Sequence, residues 1–183
     1  MNNENNEDLL TERKHTACFT GHRTIPKGDD LQRLIGKTDA MINVAHHKGY
    51  RIFITGGAVG FDTLAACRVI VAMKRFPDVK LHLALPCRNQ TEKWTRIEDL
   101  ALYKRIMGSA ERVDYITDFY TDTCMLERNR FMVDRSGLCI AYCTKDKGGS
   151  AYTVRYARKE GLGVVNIGTN SYSIAEFEKF SAR

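Results

Sequence analysis

The sequence lacks the features that would mark it as a membrane, secreted or metal-binding protein. None of the apolar runs among its 183 residues is long enough to cross a bilayer. The polar first residues, MNNENNEDLLTERK, do not form the apolar part of a secretion signal. The six cysteines are scattered, with no CxxC pair and no zinc-ligand spacing. We therefore expect a cytoplasmic protein with reduced thiols, no metal ion and no membrane partner.

The motifs of the common catalytic and phosphate-binding folds are missing as well. The sequence contains neither GxGxxG nor a glycine loop that ends in GK[ST], and it has no HExxH, EF-hand or nucleophile-elbow pattern. The formal net charge is +6 and the isoelectric point is about 9.0, but the basic residues are dispersed. Because they form no block, nucleic acid is an alternative partner rather than the favoured one.

What the sequence contains is a regular alternation of short apolar runs with amphipathic segments. The apolar runs predict strands at about 15–20, 52–54, 79–85, 112–116, 137–142 and 163–167. The amphipathic segments predict helices at about 31–48, 62–76, 97–107, 121–135, 150–160 and 174–180. This order predicts an α/β fold with a mainly parallel sheet and helices on both faces.

Several boundaries follow from single residues. Asp29 or Asp30 is expected to cap the first helix, and Pro86 is expected to end the third strand. Residues 1–13 are interpreted as a disordered leader, which leaves one domain over 14–183. In such a sheet, ligands bind beyond the carboxyl ends of the strands, so the loops that follow the strands are the candidates for function.

The stretch 51–62, RIFITGGAVGFD, is the central candidate. It is typical of a buried strand, a glycine turn and the start of a helix. Gly56, Gly57 and Gly60 would let backbone N–H groups approach a phosphate, and the N-terminus of the following helix favours an anion. Asp62 can cap that helix or accept hydrogen bonds from ribose hydroxyls. The alternative is a tight turn that serves packing alone.

Two more loops that follow predicted strands carry side chains able to recognise a ligand. In residues 20–23, TGHR, the histidine and the arginine can donate to phosphate or to the edge of a base; the alternative is a solvated basic turn. Residues 88–90, RNQ, can bond polar ligand groups. Trp94 can stack on a base, although packing is the commoner role for a lone tryptophan. Cys87 is expected at the surface, because it follows Pro86.

The last candidates open two predicted helices. Arg128 and Arg130 are two positions apart and therefore point to different faces of a helix. One is expected to face the ligand, and the other to pair with Glu127 or Asp134. Residues 148–150, GGS, would present a further helix N-terminus to the same site.

Five segments together resemble a known family. They are CFTGHR (18–23), ITGGAVGFD (54–62), ALPC (84–87) with Gln90 and Trp94, CMLERNRFMVDRS (124–136) and GGSAYTVRYA (148–157). In this order they resemble the YpsA-like branch of the SLOG superfamily over about residues 15–168. SLOG domains are Rossmann-like and are related to DprA and to the LONELY GUY phosphoribohydrolases. The resemblance implies a Rossmann-like domain, a nucleotide-type ligand and a homo-oligomer.

The sequence departs from the LONELY GUY enzymes at the residue that would perform chemistry. Their pattern GGxGTxxE ends in a glutamate, whereas here an extra residue is present and the position three after Thr153 is Tyr156. Hydrolysis of an N-glycosidic bond would use a carboxylate. We therefore expect a domain that binds or senses a nucleotide derivative, such as a nucleoside phosphate, NAD or an ADP-ribose-like molecule.

Two alternatives stay open: an N-glycosidase, with Asp62 and Arg128 as candidate catalytic residues, and a DprA-like single-stranded DNA-binding protein. No cofactor is expected besides the nucleotide-type ligand. The residues expected to contact that ligand are Thr20, Gly21, His22, Arg23, Thr55, Gly56, Gly57, Ala58, Gly60, Asp62, Pro86, Gln90, Arg128, Asn129, Gly148, Gly149, Ser150 and Thr153.

Overall fold

The computed structural model describes residues 11–169, and their main feature is a six-stranded parallel sheet. Its strands are β1 (Thr16–Gly21), β2 (Ile52–Thr55), β3 (Lys80–Cys87), β4 (Arg112–Thr117), β5 (Leu138–Tyr142) and β6 (Gly163–Asn166). The helices between them are α1 (Gly28–His47), α2 (Phe61–Arg75), α3 (Ile97–Ser109), α4 (Cys124–Asp134) and α5 (Gly149–Lys159). All neighbouring strands are parallel, in the order β4-β3-β2-β1-β5-β6.

The strands bury side chains on both faces of the sheet, as parallel strands between helices do. In β1, Ala17 and Phe19 belong to one hydrophobic core together with residues of α1, α2 and α3. Cys18 belongs to a second core, which contains residues of α4 and α5. Three helices therefore cover one face and two cover the other. This confirms the predicted α/β fold with a parallel sheet and helices on both faces.

The chain reverses its direction across the sheet next to β1. It steps from β1 outwards through β2, β3 and β4, and then returns to the other side of β1 as β5. Gly21 and Tyr142, the last residues of β1 and β5, are paired in register, and the His22 N–H donates to the Tyr142 carbonyl at 3.2 Å. The loops that follow these strands leave the sheet at its switch point, which is where ligands bind in open α/β sheets.

Pro86 does not end β3, contrary to the prediction from sequence. β2 pairs with β3 as far as Leu83, whereas β4 pairs with it as far as Cys87. Beyond Leu83, β3 therefore has a free edge on the β2 side, where a proline without an N–H group is tolerated. The extension of the strand also buries Cys87 to 1% exposure, so the predicted surface position of this thiol is wrong.

The first helix begins earlier than predicted. It starts at Gly28, its N-cap position is Lys27, and no side chain caps it. Asp29 and Asp30 therefore lie within the first turn and do not cap the helix. Their negative charges still stabilise it, because the N-terminus of a helix carries a partial positive charge.

The ends of the chain limit what can be compared with the sequence predictions. Of the predicted leader, residues 1–10 lie outside the described residues, and residues 11–13 belong to a helical turn. Arg13 in this turn donates from Nε to the Ser136 carbonyl at 2.9 Å. The predicted helix 174–180 also lies outside the described residues. Within residues 11–169, no helix is both long and apolar enough to cross a membrane.

Candidate ligand site at the switch point

A cavity of about 330 Å³ opens beside the carboxyl end of β1, and we call it the switch-point cavity. Four segments form its walls: the end of β1 with the loop after it, the turn before α2 with the first residues of that helix, one face of α4 and the start of α5. The lining residues are Thr20, Gly21, His22, Arg23, Ala58, Val59, Asp62, Met125, Arg128, Asn129, Met132, Gly149 and Ser150. Its volume lies in the range of small-molecule sites, roughly 300–1,000 Å³.

A buried ion pair lies in the wall of this cavity. Arg128 donates from Nη1 to Asp62 Oδ2 at 3.1 Å, and each side chain is only 7% exposed. Burial raises the pKa of Asp62, while Arg128, the backbone of Ala58 and Arg23 act in the opposite direction by stabilising the charged carboxylate. Asp62 does not cap α2, because Gly60 occupies the N-cap position and Asp62 is the second residue of the helix.

One N–H donor of the same arginine has no partner among the described residues. Arg128 Nε is buried and has no hydrogen-bond partner among the described residues. Buried guanidinium N–H groups are nearly always bonded in proteins, and carboxylates and phosphates are their strongest partners. An unpartnered Nε in the wall of a cavity is therefore a donor that an anionic ligand can satisfy.

The glycines of the central turn make room for protein groups. A Cβ atom at Gly56 would overlap the Arg128 guanidinium and come within 2.6 Å of Asp62 Oδ2. Gly60 has φ +99°, and a Cβ atom there would overlap the backbone of Arg23. Both positions therefore require glycine for packing, which was the alternative interpretation of this turn. Neither residue lines the switch-point cavity, whereas Ala58, between them, does.

His22 connects the cavity to the loop after β5. Its Nε2 accepts a hydrogen bond from the Thr144 N–H at 2.8 Å, which requires Nε2 to be unprotonated. Burial lowers the pKa of His22, and the positive charge of Lys145 lowers it further. The neutral imidazole is therefore the form that this loop favours.

The start of α5 offers backbone donors to the cavity. Its N-cap is Gly148, no side chain caps it, and the Tyr152 N–H makes a bond of the first helical turn with the Gly148 carbonyl. The N–H groups of the first helical residues have no partner within a helix. Gly149 and Ser150 line the cavity, so these donors and the positive end of the helix dipole lie at its wall, an arrangement that favours an anion.

A second cavity of about 420 Å³ adjoins the first, and we call it the tryptophan cavity. Trp94 lines it and also packs edge-on against Tyr103, with ring centroids 5.3 Å apart, which is the packing role considered from sequence. The lining residues are Arg23, Ala58, Val59, Asn89, Gln90, Glu92, Lys93, Trp94, Tyr120 and Met125. Four of them, Arg23, Ala58, Val59 and Met125, line both cavities.

The structure brings together many, but not all, of the residues predicted from sequence. Those in the wall of the switch-point cavity are Thr20, Gly21, His22, Arg23, Ala58, Asp62, Arg128, Asn129, Gly149 and Ser150. Gln90 lines the tryptophan cavity. Those that line neither cavity are Thr55, Gly56, Gly57, Gly60, Pro86, Gly148 and Thr153. Thr153, for example, is fully buried, and its hydroxyl bonds the Gly149 carbonyl at 2.8 Å.

Sequence reasoning missed several lining residues, and only some of them carried a signal. Met125 and Met132 flank Arg128 and Asn129 at the spacing i, i+3, i+4, i+7, which places all four on one helix face. This periodicity was sufficient to find the two methionines. Tyr120 lies in an irregular loop, and no local pattern identifies it as a lining residue.

Arg130 and its partner Tyr152 do not line either cavity. Arg130 is exposed and donates from Nε to the Tyr152 hydroxyl at 2.8 Å, so the expected ion pair with Glu127 or Asp134 is replaced by a contact with α5. Tyr156, at the position of the LONELY GUY glutamate, donates to Asp134 Oδ1 at 2.9 Å and does not line either cavity. Of the two arginines, Arg128 faces the cavity, and Arg130 faces outwards.

Comparison with known proteins identifies relatives of this chain. The YpsA family model, described as "YspA SLOG family", matches residues 27–163, which is more than half of the chain. The uncharacterized SPbeta prophage-derived protein YoqJ of Bacillus subtilis is 28% identical over 151 residues, or 75% of this chain and 87% of that protein. A UPF0398 protein of Bacillus cereus is 29% identical over 116 residues, or 62% of each chain.

Solved structures with a similar fold include two DNA processing proteins. DprA of Streptococcus pneumoniae matches with a TM-score of 0.60 at 16% identity, over 96% of this chain and 56% of that one. The DNA processing protein A of Helicobacter pylori, whose structure is described in terms of its single-stranded DNA binding mode, matches with a TM-score of 0.59 at 21% identity. The match covers 96% of this chain and 77% of that one. This chain thus spans little more than half of the pneumococcal protein. At these identities the similarity shows the fold.

Proposed function

Since this chain belongs to the YpsA family of SLOG proteins, we propose that it binds or senses a nucleotide derivative, with phosphate in the switch-point cavity. One observation carries the proposal: the buried Arg128 Nε, which has no partner among the described residues, lies in the wall of a cavity of ligand size. A nucleoside phosphate, NAD or an ADP-ribose-like molecule supplies the oxygens that this donor lacks.

The charges around the cavity favour an anion. Asp62 is the single carboxylate among the described lining residues, and it is already paired with Arg128. Arg23 is exposed, lines both cavities and has no ion-pair partner within residues 11–169. The N-terminus of α5 adds backbone donors and a partial positive charge.

The proposed position of the phosphate keeps one part of the expectation from sequence, the start of α5 with the two arginines, and departs from the other part, the central glycine turn. Gly56 is packed against the Arg128 guanidinium, which leaves its surroundings filled by protein. Gly149 and Ser150 line the cavity at the start of α5. We therefore place the phosphate against these two residues, Arg128 and Arg23, rather than on the Gly56 and Gly57 amides.

The arrangement supports binding better than hydrolysis. An N-glycosidase needs a carboxylate that is free to assist water or a developing oxocarbenium ion. Asp62 is bonded to Arg128 and to the backbone of Ala58, and Glu127 does not line the cavity. The N-glycosidase is therefore the second choice at this site, with Asp62 and Arg128 as its catalytic candidates.

The test is a thermal-shift screen with AMP, ADP, ATP, NAD, ADP-ribose, cyclic nucleotides and inorganic phosphate. A ligand at about 100 times its Kd adds roughly 2.7 kcal/mol of stability, which is readily measured. Arg23→Ala should remove the shift, because it deletes a cation of the site without breaking an internal ion pair. Arg75→Ala is the matched control, since Arg75 is an exposed arginine at the opposite end of α2.

Each result has a definite meaning. A shift with intact nucleotide that Arg23→Ala removes and Arg75→Ala retains supports the proposal. Release of free adenine or nicotinamide, detected by chromatography of the mixtures, would favour the N-glycosidase instead. The absence of a shift with every compound would contradict nucleotide binding and leave the glycine turn as a packing element.

A second candidate function is binding of single-stranded DNA, the ligand named for the H. pylori neighbour. The observation that favours it is an exposed aromatic pair, Phe119 at 76% and Tyr120 at 56% exposure. Lys93 Nζ lies 5.9 Å from the centre of the Tyr120 ring. Exposed aromatic rings beside cations are typical of single-strand binding surfaces. This function predicts oligonucleotide binding that weakens steeply with salt, and Phe119→Ala should reduce it.

Two further properties belong to the proposal. A homo-oligomer is proposed from the family resemblance, and sedimentation of the purified protein tests it. A cytoplasmic location is proposed as well. All six cysteines lie within the described residues as free thiols, which agrees with a reducing compartment.

A further inference from the structure

We propose that the tryptophan cavity selects a base that carries an exocyclic amino group, as adenine and cytosine do. The inference rests on the proposed nucleotide binding at the adjoining cavity and adds the chemical class of the base. It is carried by two amide side chains, Asn89 and Gln90. Each donates one N–H to a protein group, which fixes its orientation, and each has a shielded oxygen without a hydrogen-bond partner among the described residues.

The orientation of the Gln90 amide follows from its neighbour. Gln90 donates from Nε2 to the Gly57 carbonyl at 2.9 Å. If the amide were turned over, Oε1 would face that carbonyl oxygen, and two acceptors would oppose each other. The NH₂ group must therefore face Gly57, which leaves Oε1 as an acceptor without a partner.

Asn89 is oriented in the same way by a different group. It donates from Nδ2 to Glu92 Oε2 at 2.8 Å. An ionised carboxylate accepts hydrogen bonds and cannot donate, so the NH₂ group of Asn89 must face it. Asn89 Oδ1 is consequently the second acceptor without a partner. Both residues and Glu92 line the tryptophan cavity.

A pair of unsatisfied acceptors selects for a donor. Buried carbonyl oxygens without partners are rare in proteins and unfavourable, so a ligand N–H that reaches them gains affinity. The amino groups of adenine and cytosine supply such donors. An amino group offers two N–H donors, one for each oxygen. Hypoxanthine and uracil place a carbonyl oxygen at the corresponding position and keep a single ring N–H beside it, which can pair with only one of the two amide oxygens.

The two cavities have the arrangement that a nucleotide needs. Their shared wall includes Arg23 and Met125, so the cavities adjoin and one molecule can place its phosphate in the first and its base in the second. The indole of Trp94, held by its edge contact with Tyr103, offers a flat apolar surface on which the base can lie. The amide oxygens of Asn89 and Gln90 would then accept hydrogen bonds from the amino group at the edge of that base.

The experiment compares nucleotides that differ at this amino group. Binding of AMP against IMP and of CMP against UMP is measured by calorimetry on the full chain, with inorganic phosphate as a third arm. AMP and CMP should bind at least about tenfold more tightly than their partners, because IMP and UMP replace the amino group by an oxygen that opposes the amide oxygens and leaves at least one of them unpaired. The affinity for inorganic phosphate should not depend on Asn89 or Gln90, because phosphate has no base to contact them.

Glu92→Gln tests the source of the selectivity. A glutamine at this position can donate to Asn89 Oδ1, which releases Asn89 from its orientation, so the AMP-to-IMP ratio should fall toward one while phosphate binding is unchanged. Glu111→Gln is the control, because Glu111 is an exposed carboxylate that pairs with Lys80 before β4, away from the cavity. It should leave the ratio unchanged.

The outcomes separate this inference from the proposed function. Equal binding of AMP and IMP, with both lost in Arg23→Ala, would overturn the amino-group selection and leave nucleotide binding intact. No binding of any nucleotide or of phosphate would overturn both. Tight binding of an adenine- or cytosine-rich oligonucleotide without binding of AMP or CMP would assign the acceptors to a strand of nucleic acid and overturn selection of a free nucleotide.

Discussion

Arg128 Nη1 lies 3.1 Å from Asp62 Oδ2, in a pair whose side chains are each 7% exposed. The two residues are 66 positions apart in the chain. Their contact joins the start of α2 to the middle of α4 and sets one wall of the switch-point cavity. Two motifs that look independent in the sequence, GGAVGFD and MLERNR, thus form one structural unit.

The fit of Gly56 against this pair leads to a stability prediction. In Gly56→Ala, the added methyl group would displace the Arg128 guanidinium. We expect a loss of about 3–5 kcal/mol in the free energy of unfolding, the usual cost of breaking a buried ion pair. Denaturant unfolding measures this. Gly36→Ala in α1 is the control, because a methyl group there meets nothing within 4 Å. This change should increase the free energy of unfolding by about 0.5–1 kcal/mol, since alanine is favoured over glycine within a helix. Equal effects of the two changes would contradict the packing argument.

Removal of the arginine should create a measurable pH dependence. Burial already raises the pKa of Asp62, and Arg128 opposes that rise, so Arg128→Leu should raise the pKa further. The folded state then holds a proton that the unfolded state has released. The free energy of unfolding of this variant should therefore fall as pH increases from about 4, the ordinary Asp value, through the raised folded pKa.

Unfolding of Arg128→Leu between pH 4 and 8 checks this sign. In the double variant Asp62→Asn with Arg128→Leu the titrating group is gone, so the dependence attributed to Asp62 should disappear. A variant that became more stable as the pH rose would show that Asp62 is not the group responsible.

His22 should titrate below its ordinary value of about 6.5. Burial and then Lys145 lower its pKa, and its Nε2 accepts the Thr144 N–H. Stability from this neutral histidine is present above pH 6.5 and is lost as the pH falls through the lowered folded pKa. Lys145→Ala should shift the titration upwards in histidine NMR spectra, whereas Lys147→Ala should move it less. An unshifted His22 in the native protein would contradict the assignment.

The six thiols should differ in reactivity. Cys67 is half-buried, whereas the other five cysteines are buried, including Cys87. Maleimide at pH 8 should therefore modify the native protein once, slowly because burial raises the pKa of Cys67. Mass spectrometry counts the adducts, and Cys67→Ser should remove the native one. Rapid modification of Cys87 would show that the end of β3 opens in solution.

Much of the candidate site could be predicted from sequence, because its elements are local. The polar loops after the strands and the α4 face around Arg128 and Asn129 are recognisable from short patterns. The role of Gly56 could not be deduced in this way. A glycine that admits a ligand and a glycine that admits an arginine have the same local sequence signature, and only the approach of α4 distinguishes them.

Over residues 16–166, the sequence by itself determined the kinds of elements and their order, since apolar periodicity and turn residues act over a few positions. It also placed every strand within a few residues of its observed bounds. The tertiary structure decided the sheet order, the burial of Cys87, the Arg128–Asp62 pair and the two adjoining cavities. These depend on contacts between segments far apart in the chain, and no local pattern carries that information.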